Sequence, residues 1–416
     1  MCYNVYSGDI MKSLNITKVA SSCIKCKDPK CIKKCSLGTK INEILKLVED
    51  KHELEAAKLL FEGNPFPFVT GSLCDVYRKC YGNCIKNKSN DSVKYFLVES
   101  YLGNKYIDLL FNKKKGKKNL NVAIVGGGMT GLTVAIRLIN EGITPTIYEA
   151  KSNLGGVIIN SLPDFRYNKD NMKKVIDYVI SNSNVYYNKV LGDNLLMNEL
   201  SNYDYVVIAT GASLERKTLN LSITAVSLLE DKIKLSSIKN QNIVVIGGGN
   251  TTMDIARALC KNNNVSIVYR RNMDNAPASL TEIEDVRKEN INIVELASPV
   301  KINTDINNNI KSITVEKMSL YDDGSSRLNF KGTRKYYDID CDLVVEATGS
   351  ICDYRYLKEE CPTIFNDQGW IDADSNFMTN IHNLYVGGDL YYGPKDFCSA
   401  ISSGERIVKD ILSRKD

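Results

Sequence analysis

Two short apolar runs, each leading directly into three glycines, stand out in the pattern of hydrophobic and polar positions. Residues 121–128 are Asn-Val-Ala-Ile-Val-Gly-Gly-Gly, and residues 242–249 are Asn-Ile-Val-Val-Ile-Gly-Gly-Gly. Each run precedes a helical pattern and a second apolar stretch, at 144–148 and at 265–269. A strand, a helix and a second strand in this order predict a βαβ unit, and the chain contains this unit twice.

The first 110 residues have a different pattern. Apolar residues recur at helical spacing in 41–48 and again in 53–61, which predicts amphipathic helices. A stretch rich in Lys, Gly and Asn follows at 112–119 and is typical of a linker. We therefore predict a helical domain at 1–111 and a linker at 112–118, with the βαβ units after it.

The first glycine loop has the spacing of a dinucleotide-binding fingerprint. Gly126, Gly128 and Gly131 form the pattern Gly-x-Gly-x-x-Gly between a strand and a helix. Such glycines permit a tight turn and let the backbone approach a pyrophosphate at the helix N-terminus. Glu149 closes the second strand, where a carboxylate hydrogen-bonds a ribose hydroxyl. This carboxylate suits FAD or NAD and would repel a 2′-phosphate.

The second glycine loop leads to a different strand end. Its three fingerprint positions are occupied by Gly247, Gly249 and Thr252. Arg270 and Arg271 end the second strand, at the same sequence interval from their loop as Glu149 has in the first unit. Two guanidinium groups at that position would bind a 2′-phosphate, which predicts NADPH rather than NADH. A pair of surface arginines without a ligand is the alternative.

Further strand ends define the domain order. The sequence Ala-Thr-Gly occurs at 209–211 and at 347–349, and Gly-Gly-Asp occurs at 387–389. Together with the two glycine loops, this order predicts an α/β protein in which a Rossmann-like NADP domain is inserted into a Rossmann-like FAD domain. The predicted bounds are 119–228 and 331–416 for the two halves of the FAD domain and 229–330 for the NADP domain.

Composition restricts the function further. A chain of 416 residues, 43% apolar and 25% charged, is typical of a globular protein with two or three domains. The net charge of +5 is spread along the chain, and the basic run at 113–118 lacks aromatic residues, so nucleic-acid binding is not expected. A solvated linker, or a docking patch for an acidic partner, remains open for that run. Because no apolar stretch approaches about 18 residues and the N-terminus lacks a signal pattern, we expect a cytoplasmic protein without a membrane span.

The cysteines are concentrated in the N-terminal domain. Seven of the thirteen lie between 23 and 84, and none lies between 85 and 259. Their spacings are Cys23-x2-Cys26-x4-Cys31-x3-Cys35 and Cys74-x5-Cys80-x3-Cys84. The first group is close to the ferredoxin run, in which the fourth cysteine ligates a different cluster from the first three. Zinc is the alternative, although seven thiolates do not divide into two four-cysteine sites.

The interval without cysteines indicates the route of the electrons. Reductases of disulfides need a redox-active cysteine pair beside the flavin, and no pair occurs in 85–259. We therefore expect the electrons to leave through the N-terminal cysteines. Transfer of a hydride from NADPH to FAD needs no acid or base from the protein, so we predict no catalytic side chain.

Short motifs extend along the chain in a fixed order, from about Cys23 to Lys409. They are CIKCKDPKC at 23–31, Gly-Asn-Pro-Phe-Pro at 63–67, Thr70-Gly71, Cys74, Gly155-Gly156, Pro163-x-Phe165-Arg166, Gly247-Gly-Gly-Asn250 with Asp254 and Arg257, Tyr269-Arg-Arg271, Pro277-Ala278 with Glu282, Gly388-Asp389, Gly393-Pro394 and Ala400-Ile401. Together they resemble the small (beta) subunit of NADPH-dependent glutamate synthase. The N-terminal half of dihydropyrimidine dehydrogenase and the large subunit of the NADH-dependent ferredoxin:NADP oxidoreductase are similar in the same way.

This resemblance implies two [4Fe-4S] clusters held in a crossed arrangement. Cys23, Cys26, Cys31 and Cys84 would bind one cluster, and Cys35, Cys74 and Cys80 would bind the other. The fourth ligand of the second cluster is Gln or Glu in this family, and Glu99 is the candidate here. An exposed helix carboxylate is the alternative for Glu99. The resemblance also implies further cofactor contacts, from Gly156, Arg166, Gly211, Gly388 and Asp389 to FAD and from Asn250 to NADPH.

The expected function is therefore an NADPH-dependent oxidoreductase that passes a hydride to FAD and then single electrons through [4Fe-4S] clusters. No segment resembles a glutaminase, an FMN barrel or a pyrimidine site, so we expect the acceptor on another chain. That partner would be a protein like the glutamate synthase large subunit, a ferredoxin or another electron acceptor. Two alternatives remain open: a subunit of an electron-bifurcating NADH-dependent ferredoxin:NADP oxidoreductase, and a non-catalytic assembly subunit with retained cofactor folds.

Overall fold

The computed structural model describes residues 15–114, 119–321 and 329–414. Contacts divide the chain into two compact units. We call Asn160–Pro163 with Leu214–Ile351 the inserted unit, and the described residues of the remainder the main unit. The boundaries predicted at 228/229 and at 330/331 fall inside the inserted unit, because strands on both sides of them pair in one sheet.

The N-terminal part of the main unit is helical. Its elements are α1 (Ile16–Ser21), α2 (Lys30–Lys33), α3 (Ile41–Glu49), α4 (Glu53–Gly63), α5 (Pro67–Leu73) and α6 (Tyr95–Lys105), with 3-10 turns at Ile85–Ser89 and Ile107–Leu110. Helix α3 buries Ile41, Ile44, Leu45 and Val48, which lie on one face because they follow the i, i+3, i+4, i+7 spacing. This face contributes to the core of the helical region.

Two glycines bring α5 and α6 into close contact. A Cβ on Gly71 would lie 2.6 Å from the Ser100 nitrogen, and a Cβ on Gly103 would lie 2.5 Å from the Phe68 nitrogen. Any larger residue would therefore separate the two helices. This packing places residues near the end of α5 beside the middle of α6.

The first half of the nucleotide fold in the main unit follows. Its elements are β1 (Val122–Val125), α7 (Met129–Asn140), β2 (Thr146–Tyr148), α8 (Val157–Asn160), α9 (Lys169–Asn182), β3 (Asn184–Tyr186), a 3-10 turn at Met197–Leu200 and β4 (Tyr205–Ile208). All four residues of β1 are buried, as expected for a central strand covered on both faces.

The inserted unit contains a second parallel sheet. Its elements are β5 (Leu214–Glu215), β6 (Ile223–Thr224), α10 (Ala225–Glu230), α11 (Lys232–Ser237), β7 (Asn242–Ile246), α12 (Asn250–Leu259), β8 (Asn264–Tyr269), a 3-10 turn at Met273–Asn275, α13 (Leu280–Lys288), β9 (Asn292–Glu295), β10 (Ala297–Thr304), β11 (Ile310–Tyr321), β12 (Asn329–Asp340), β13 (Leu343–Glu346) and β14 (Ser350–Ile351). Among the described residues the parallel sheet has the order β6-β13-β7-β8-β9. Strands β10, β11 and β12 form a separate antiparallel sheet, and β5 pairs with β14 where the chain enters and leaves the unit.

The chain then returns to the main unit. The last elements are α14 (Arg355–Glu360), a 3-10 turn at Pro362–Ile364, β15 (Leu384–Val386), α15 (Asp389–Tyr392) and α16 (Phe397–Ser413). Strand β15 pairs in parallel with β4 and completes a sheet of order β15-β4-β1-β2-β3. The predicted α/β fold, with a helical N-terminal region and one Rossmann-like fold inserted into another, is confirmed. Within the described ranges we find no helix with the length and hydropathy needed to cross a membrane.

Candidate cofactor sites

The loop between β1 and α7 uses glycine where a side chain would not fit. Gly126 has a φ of +103°, in the left-handed region, and its nitrogen donates to the Tyr148 oxygen at 2.8 Å. A Cβ on Gly131 would lie 2.0 Å from the Gly126 oxygen, so only glycine lets α7 begin this close to the loop. Gly128 precedes the first turn of α7 and faces open space. The helix N-terminus is therefore accessible to a phosphate group.

Glu149 holds this loop from the end of β2. Its side chain is buried. Its Oε2 accepts a hydrogen bond from the Gly127 nitrogen at 2.7 Å, and its Oε1 accepts one from the Lys151 nitrogen at 2.8 Å. An ionised carboxylate has capacity to accept a further hydrogen bond, which fits a ribose hydroxyl and disfavours a 2′-phosphate.

Two other glycines predicted to contact FAD lie against the same helix N-terminus. A Cβ on Gly156 would lie 3.0 Å from the Gly128 Cα, and a Cβ on Gly388 would lie 2.4 Å from the Thr130 Oγ1. Residues from three distant parts of the sequence are thus brought around the start of α7. The set forms a cradle of backbone atoms, which is the surface that a dinucleotide needs.

The remaining predicted FAD residues also lie in the main unit. Gly211 and Asp389 follow the carboxyl ends of β4 and β15, the edge at which parallel sheets bind ligands. The Oδ1 of Asp389 accepts a hydrogen bond from the Lys395 nitrogen at 3.1 Å. Burial raises the pKa of the Asp389 carboxyl, and this hydrogen bond opposes the rise. Arg166 is buried as well.

The second glycine loop lies between β7 and α12 in the inserted unit. Gly247 has a φ of +144°, and a Cβ there would lie 2.4 Å from the Thr252 Oγ1. Thr252 is completely buried, so this loop packs a side chain at the position where the first loop excludes one. Gly249 faces open space before α12, and the Oδ1 of Asn250 accepts a hydrogen bond from the Ser279 nitrogen at 2.8 Å.

The strand register corrects one prediction about the second loop. Equal sequence intervals predicted that Arg270 would take the register position of Glu149. The pairing of β7 with β8 is offset by one residue from that of β1 with β2, and it places Tyr269 there instead. The Tyr269 ring occupies the space beside the loop, since a Cβ on Gly248 would lie 2.4 Å from its Cε2. The arginines follow this position because the chain between the paired residues of β7 and β8 is one residue shorter than that between the paired residues of β1 and β2.

Arg270 and Arg271 nevertheless end the strand beside the second glycine loop. Arg270 is exposed, and the guanidinium carbon of Arg271 lies 5.9 Å from the centroid of the Phe330 ring. Across residues 15–114, 119–321 and 329–414, neither arginine forms an ion pair. Both positive charges are therefore available to an anionic ligand.

The seven N-terminal cysteines line two cavities. The first thiol cavity is lined by Cys23, Cys26, Cys31, Cys80 and Cys84, with apolar walls from residues such as Ile41 and Val93. Burial, with smaller contributions from neighbouring thiolates, raises the pKa of Cys31 to about 11. A cavity lined by several thiols is chemically suited to a metal cluster, because iron replaces the protons.

The second thiol cavity is lined by Cys35, Cys74, Cys80 and Glu99. Cys80 lines both cavities, and the other six cysteines divide between the two cavities in the same way as in the crossed grouping that the resemblance implies. Burial raises the pKa of the Cys80 thiol well above its ordinary value. The donor set of three thiols and one carboxyl group fits a [4Fe-4S] cluster with one harder ligand.

Glu99 is buried, which rules out the alternative of an exposed helix carboxylate. Its Oε1 accepts hydrogen bonds from the Thr70 Oγ1 at 2.6 Å and from the Asn64 Nδ2 at 3.1 Å. Both donors come from the motifs at 63–67 and 70–71, and the close packing of α5 on α6 brings them to Glu99. Burial raises the pKa of Glu99 to about 7, although the two hydrogen bonds oppose the rise.

Two residues of the second thiol cavity escaped the sequence analysis. Cys398, near the start of α16, is buried in its wall and forms a hydrogen bond with Cys74. This hydrogen bond and burial raise the pKa of the Cys398 thiol well above its ordinary value. Tyr95 lies in the wall of both cavities. Neither residue belongs to a spacing pattern, so no sequence signal pointed to them.

The described ranges contain no group of three or more His, Cys, Asp or Glu side chains placed to hold a single metal ion.

Comparison with protein families covers both parts of the chain. Residues 120–404 match the family model described as pyridine nucleotide-disulphide oxidoreductase. Residues 5–108 match the model described as dihydropyrimidine dehydrogenase domain II, 4Fe-4S cluster. The second match supports an iron–sulfur cluster in the N-terminal region, and the first covers more than half of the chain.

Curated relatives agree with these matches. An Escherichia coli O157:H7 protein named as an oxidoreductase, YgfK, is 27% identical over 403 residues, which cover 93% of this chain and 38% of that protein. The chain thus spans well under half the length of that relative. The glutamate synthase [NADPH] small chain of Escherichia coli K12 is 25% identical over 434 residues, covering 95% of this chain and 90% of the relative. The NADP(+)-dependent formate dehydrogenase subunit beta of Moorella thermoacetica is 28% identical over 313 residues, covering 71% and 43%.

Solved structures support the fold. FprA of Mycobacterium tuberculosis in complex with NADPH has a TM-score of 0.58 at 20% identity, covering 72% of this chain and 86% of FprA. Thioredoxin reductase of T. acidophilum has a TM-score of 0.56 at 19% identity, covering 71% and 98%. The resemblance to the glutamate synthase small subunit is confirmed, and the chain is an oxidoreductase that belongs to the pyridine nucleotide-disulphide oxidoreductase family.

Proposed function

We propose that this protein oxidises NADPH and delivers the electrons singly to a partner protein, using FAD and two [4Fe-4S] clusters. FAD, when bound, accepts a hydride, and [4Fe-4S] clusters carry one electron at a time. The residues of the chain bind and orient these groups. Glu149 and the glycines around α7 hold the flavin nucleotide, Arg270 and Arg271 bind the 2′-phosphate of NADPH, and the thiol cavities hold the clusters.

The observation that carries this proposal is that one helix, α16, contributes to both the flavin cradle and the second thiol cavity. Its Ala400 oxygen accepts a hydrogen bond from the Thr130 Oγ1 of α7 at 3.0 Å, and its Ser403 Oγ accepts one from the Gly388 nitrogen at 2.9 Å. Cys398, in the first turn of the same helix, lines the second thiol cavity. A shared rigid element fixes a donor site and an acceptor site relative to each other, which electron transfer requires.

A disulfide is not the proposed electron acceptor, despite the name of the family. No cysteine occurs between 85 and 259. Cys352 and Cys361 are free thiols in the main unit, and the Cys352 Sγ donates to the Asp389 oxygen rather than to a second cysteine. A variant with both changed to alanine should still bleach its flavin absorbance when NADPH is added. Loss of this bleaching, with FAD still bound, would contradict the proposed route.

Cluster content tests the proposal directly. Protein purified without oxygen should contain about eight irons and about eight acid-labile sulfides per chain, as expected for two four-iron clusters. NADPH should then reduce the flavin and produce the EPR signals of reduced clusters. Zinc without sulfide would show that the N-terminal region is structural, and it would overturn the electron route.

A matched pair of variants identifies the fourth ligand of the second cluster. Both hydrogen bonds of Glu99 use its Oε1, which leaves Oε2 to bind iron. We therefore expect Glu99→Ala to alter the EPR signal of one cluster and leave the other intact. Cys398→Ala is the control, because Cys398 lines the same cavity. If only Cys398→Ala alters the signal, Cys398 and not Glu99 is the ligand.

The partner is an electron-accepting protein or subunit. Relatives named as the small chain of glutamate synthase and the beta subunit of formate dehydrogenase support this expectation. The chemistry of the acceptor lies outside the residues of this chain. The partner is identified by purifying the protein from the native cell under mild conditions. A copurified protein that NADPH reduces in this complex is the acceptor.

A further inference from the structure

Tyr95, the first residue of α6, lies between the two thiol cavities and has an unusual hydroxyl group. Its side chain is 3% exposed and lines both cavities. Among the residues that the structure describes, nothing forms a hydrogen bond with this buried hydroxyl. An unsatisfied buried hydroxyl destabilises the folded state, so such groups normally have a partner.

The surroundings of the hydroxyl indicate the nature of that partner. Glu99 and the sulfur atoms of Cys35, Cys80 and Cys31 lie near enough to act on it electrostatically. All of them are acceptors when they ligate iron, and a tyrosine hydroxyl is a neutral donor at physiological pH. Three of the four belong to the second thiol cavity. The Tyr95 hydroxyl is therefore a hydrogen-bond donor placed beside a sulfur-rich group of acceptors.

We propose that the Tyr95 hydroxyl donates a hydrogen bond to a sulfur atom of the cluster in the second thiol cavity and raises the potential at which that cluster is reduced. This role rests on the proposed function, because it requires the second cluster. The reduced cluster carries one more negative charge than the oxidised cluster, so a donor to its sulfur stabilises the reduced form more. Neighbouring hydrogen bonds to sulfur are one of the means by which proteins set cluster potentials.

Tyr95→Phe is the test, because it removes one oxygen atom and keeps the ring that fills the wall. The variant should keep the iron and sulfide content of the unaltered protein, and the midpoint potential of the second cluster should fall. The signal of that cluster is assigned with Cys74→Ser, which alters the second cluster alone. Pulsed EPR of the reduced, unaltered protein should detect a strongly coupled proton that exchanges in D2O, and Tyr95→Phe should lack it.

Tyr385→Phe is the matched control. Tyr385 is also buried in the main unit, but its hydroxyl donates to the Asp410 Oδ2 at 2.6 Å and lies outside both thiol cavities. This variant should leave both potentials and the exchangeable proton unchanged. An equal shift in Tyr385→Phe would mean that the potential responds to general loosening of the fold, and it would overturn the role of Tyr95.

The remaining outcomes separate this role from the proposed function. Two intact clusters whose potentials and proton coupling do not respond to Tyr95→Phe overturn the role alone. A shift confined to the first cluster overturns the assignment to the second. Unaltered protein without sulfide overturns the proposed function, and the role of Tyr95 fails with it.

Discussion

The nucleotide fold of the main unit and that of the inserted unit start from almost the same sequence and diverge at three positions. In the main unit, the third glycine lies in the first turn of α7, Glu149 follows β2, and Ile208 is the last residue of β4. In the inserted unit, the counterparts are Thr252, the Tyr-Arg-Arg run at 269–271 and Glu346. The backbone of the glycine loop is thus common to both, whereas the side chains around it differ.

Under the proposed function, this difference adapts one type of loop to two ligands. In the main unit, the carboxylate of Glu149 accepts a hydrogen bond from the amide of Gly127 and places a negative charge beside the loop. In the inserted unit, an aromatic ring packs against Gly248, and the charges that follow are positive. We therefore propose that the glycines fit a dinucleotide in general and that the end of the second strand selects between FAD and NADPH.

The third loop position should give the largest effect. A Cβ on Gly131 would lie 2.0 Å from a backbone oxygen, which no rearrangement of a side chain can relieve. We expect Gly131→Ala to destabilise the main unit by more than about 3 kcal/mol and to release FAD. Trp370, the single tryptophan, lies in the main unit, so its fluorescence during urea unfolding reports this loss.

Thr252→Ala is the matched control in the inserted unit. The Thr252 Oγ1 makes only a long contact, 3.4 Å, with the Ala347 oxygen. We expect a loss of about 1 kcal/mol, measured by hydrogen exchange of the amides in the inserted unit. Equal losses of stability in Gly131→Ala and Thr252→Ala would show that the third loop position has the same packing requirement in both units.

The strand ends should give the next largest effect. Replacing Arg270 and Arg271 together by glutamine should raise the KM for NADPH by about two orders of magnitude, because two charge-assisted hydrogen bonds to the 2′-phosphate are lost at an exposed site. The KM for NADH should change little. Lys261→Gln, an exposed basic residue of the same unit, is the control. Equal use of NADPH and NADH by the unaltered protein would show that the arginines do not select the nucleotide.

Sequence patterns predicted the strands, the glycine loops and the insertion, because these depend on local periodicity and on turns that only glycine allows. They misplaced Arg270 by one register position, because the chain between the paired residues of the two strands is one residue shorter in the inserted unit and this has no local signal. They also missed the antiparallel sheet of β10, β11 and β12, whose strands follow one another in the chain but consist mostly of exposed and half-buried residues rather than of an apolar run. The contribution of Cys398 to the second thiol cavity depends on tertiary packing of the last helix, more than 300 residues from Cys74.

Glu149→Gln tests the carboxylate of the main unit and should have a smaller effect. Glutamine keeps the shape of the side chain but cannot accept with both ends, so the amide of either Gly127 or Lys151 loses its partner. We expect FAD to dissociate about tenfold more readily, as one lost hydrogen bond of about 1.4 kcal/mol implies. Recovery of flavin fluorescence on dilution measures this change. Unchanged retention of FAD would remove Glu149 from the site.

The third difference, Ile208 against Glu346, should have the smallest effect at neutral pH but a distinctive dependence on pH. Glu346 is buried and accepts hydrogen bonds from the Thr218 nitrogen and Oγ1, the Leu219 nitrogen and the Ser222 Oγ. Burial by itself would raise the pKa of Glu346, but these hydrogen bonds together lower it below its ordinary value. Because the folded state favours the ionised form, Glu346 stabilises the inserted unit above the pKa of the unfolded chain. This stabilisation is lost as the pH falls through the lower, folded pKa.

Glu346→Gln should therefore lower the free energy of unfolding by about 1 kcal/mol at pH 7, and this deficit should shrink as the pH falls below about 4.5. Hydrogen exchange of the β13 amides at several pH values measures this loss of stability. Ile208→Val in the main unit is the matched control, since it should lose about 1 kcal/mol at every pH. A deficit for Glu346→Gln that is equally independent of pH would show that this buried acid is not ionised.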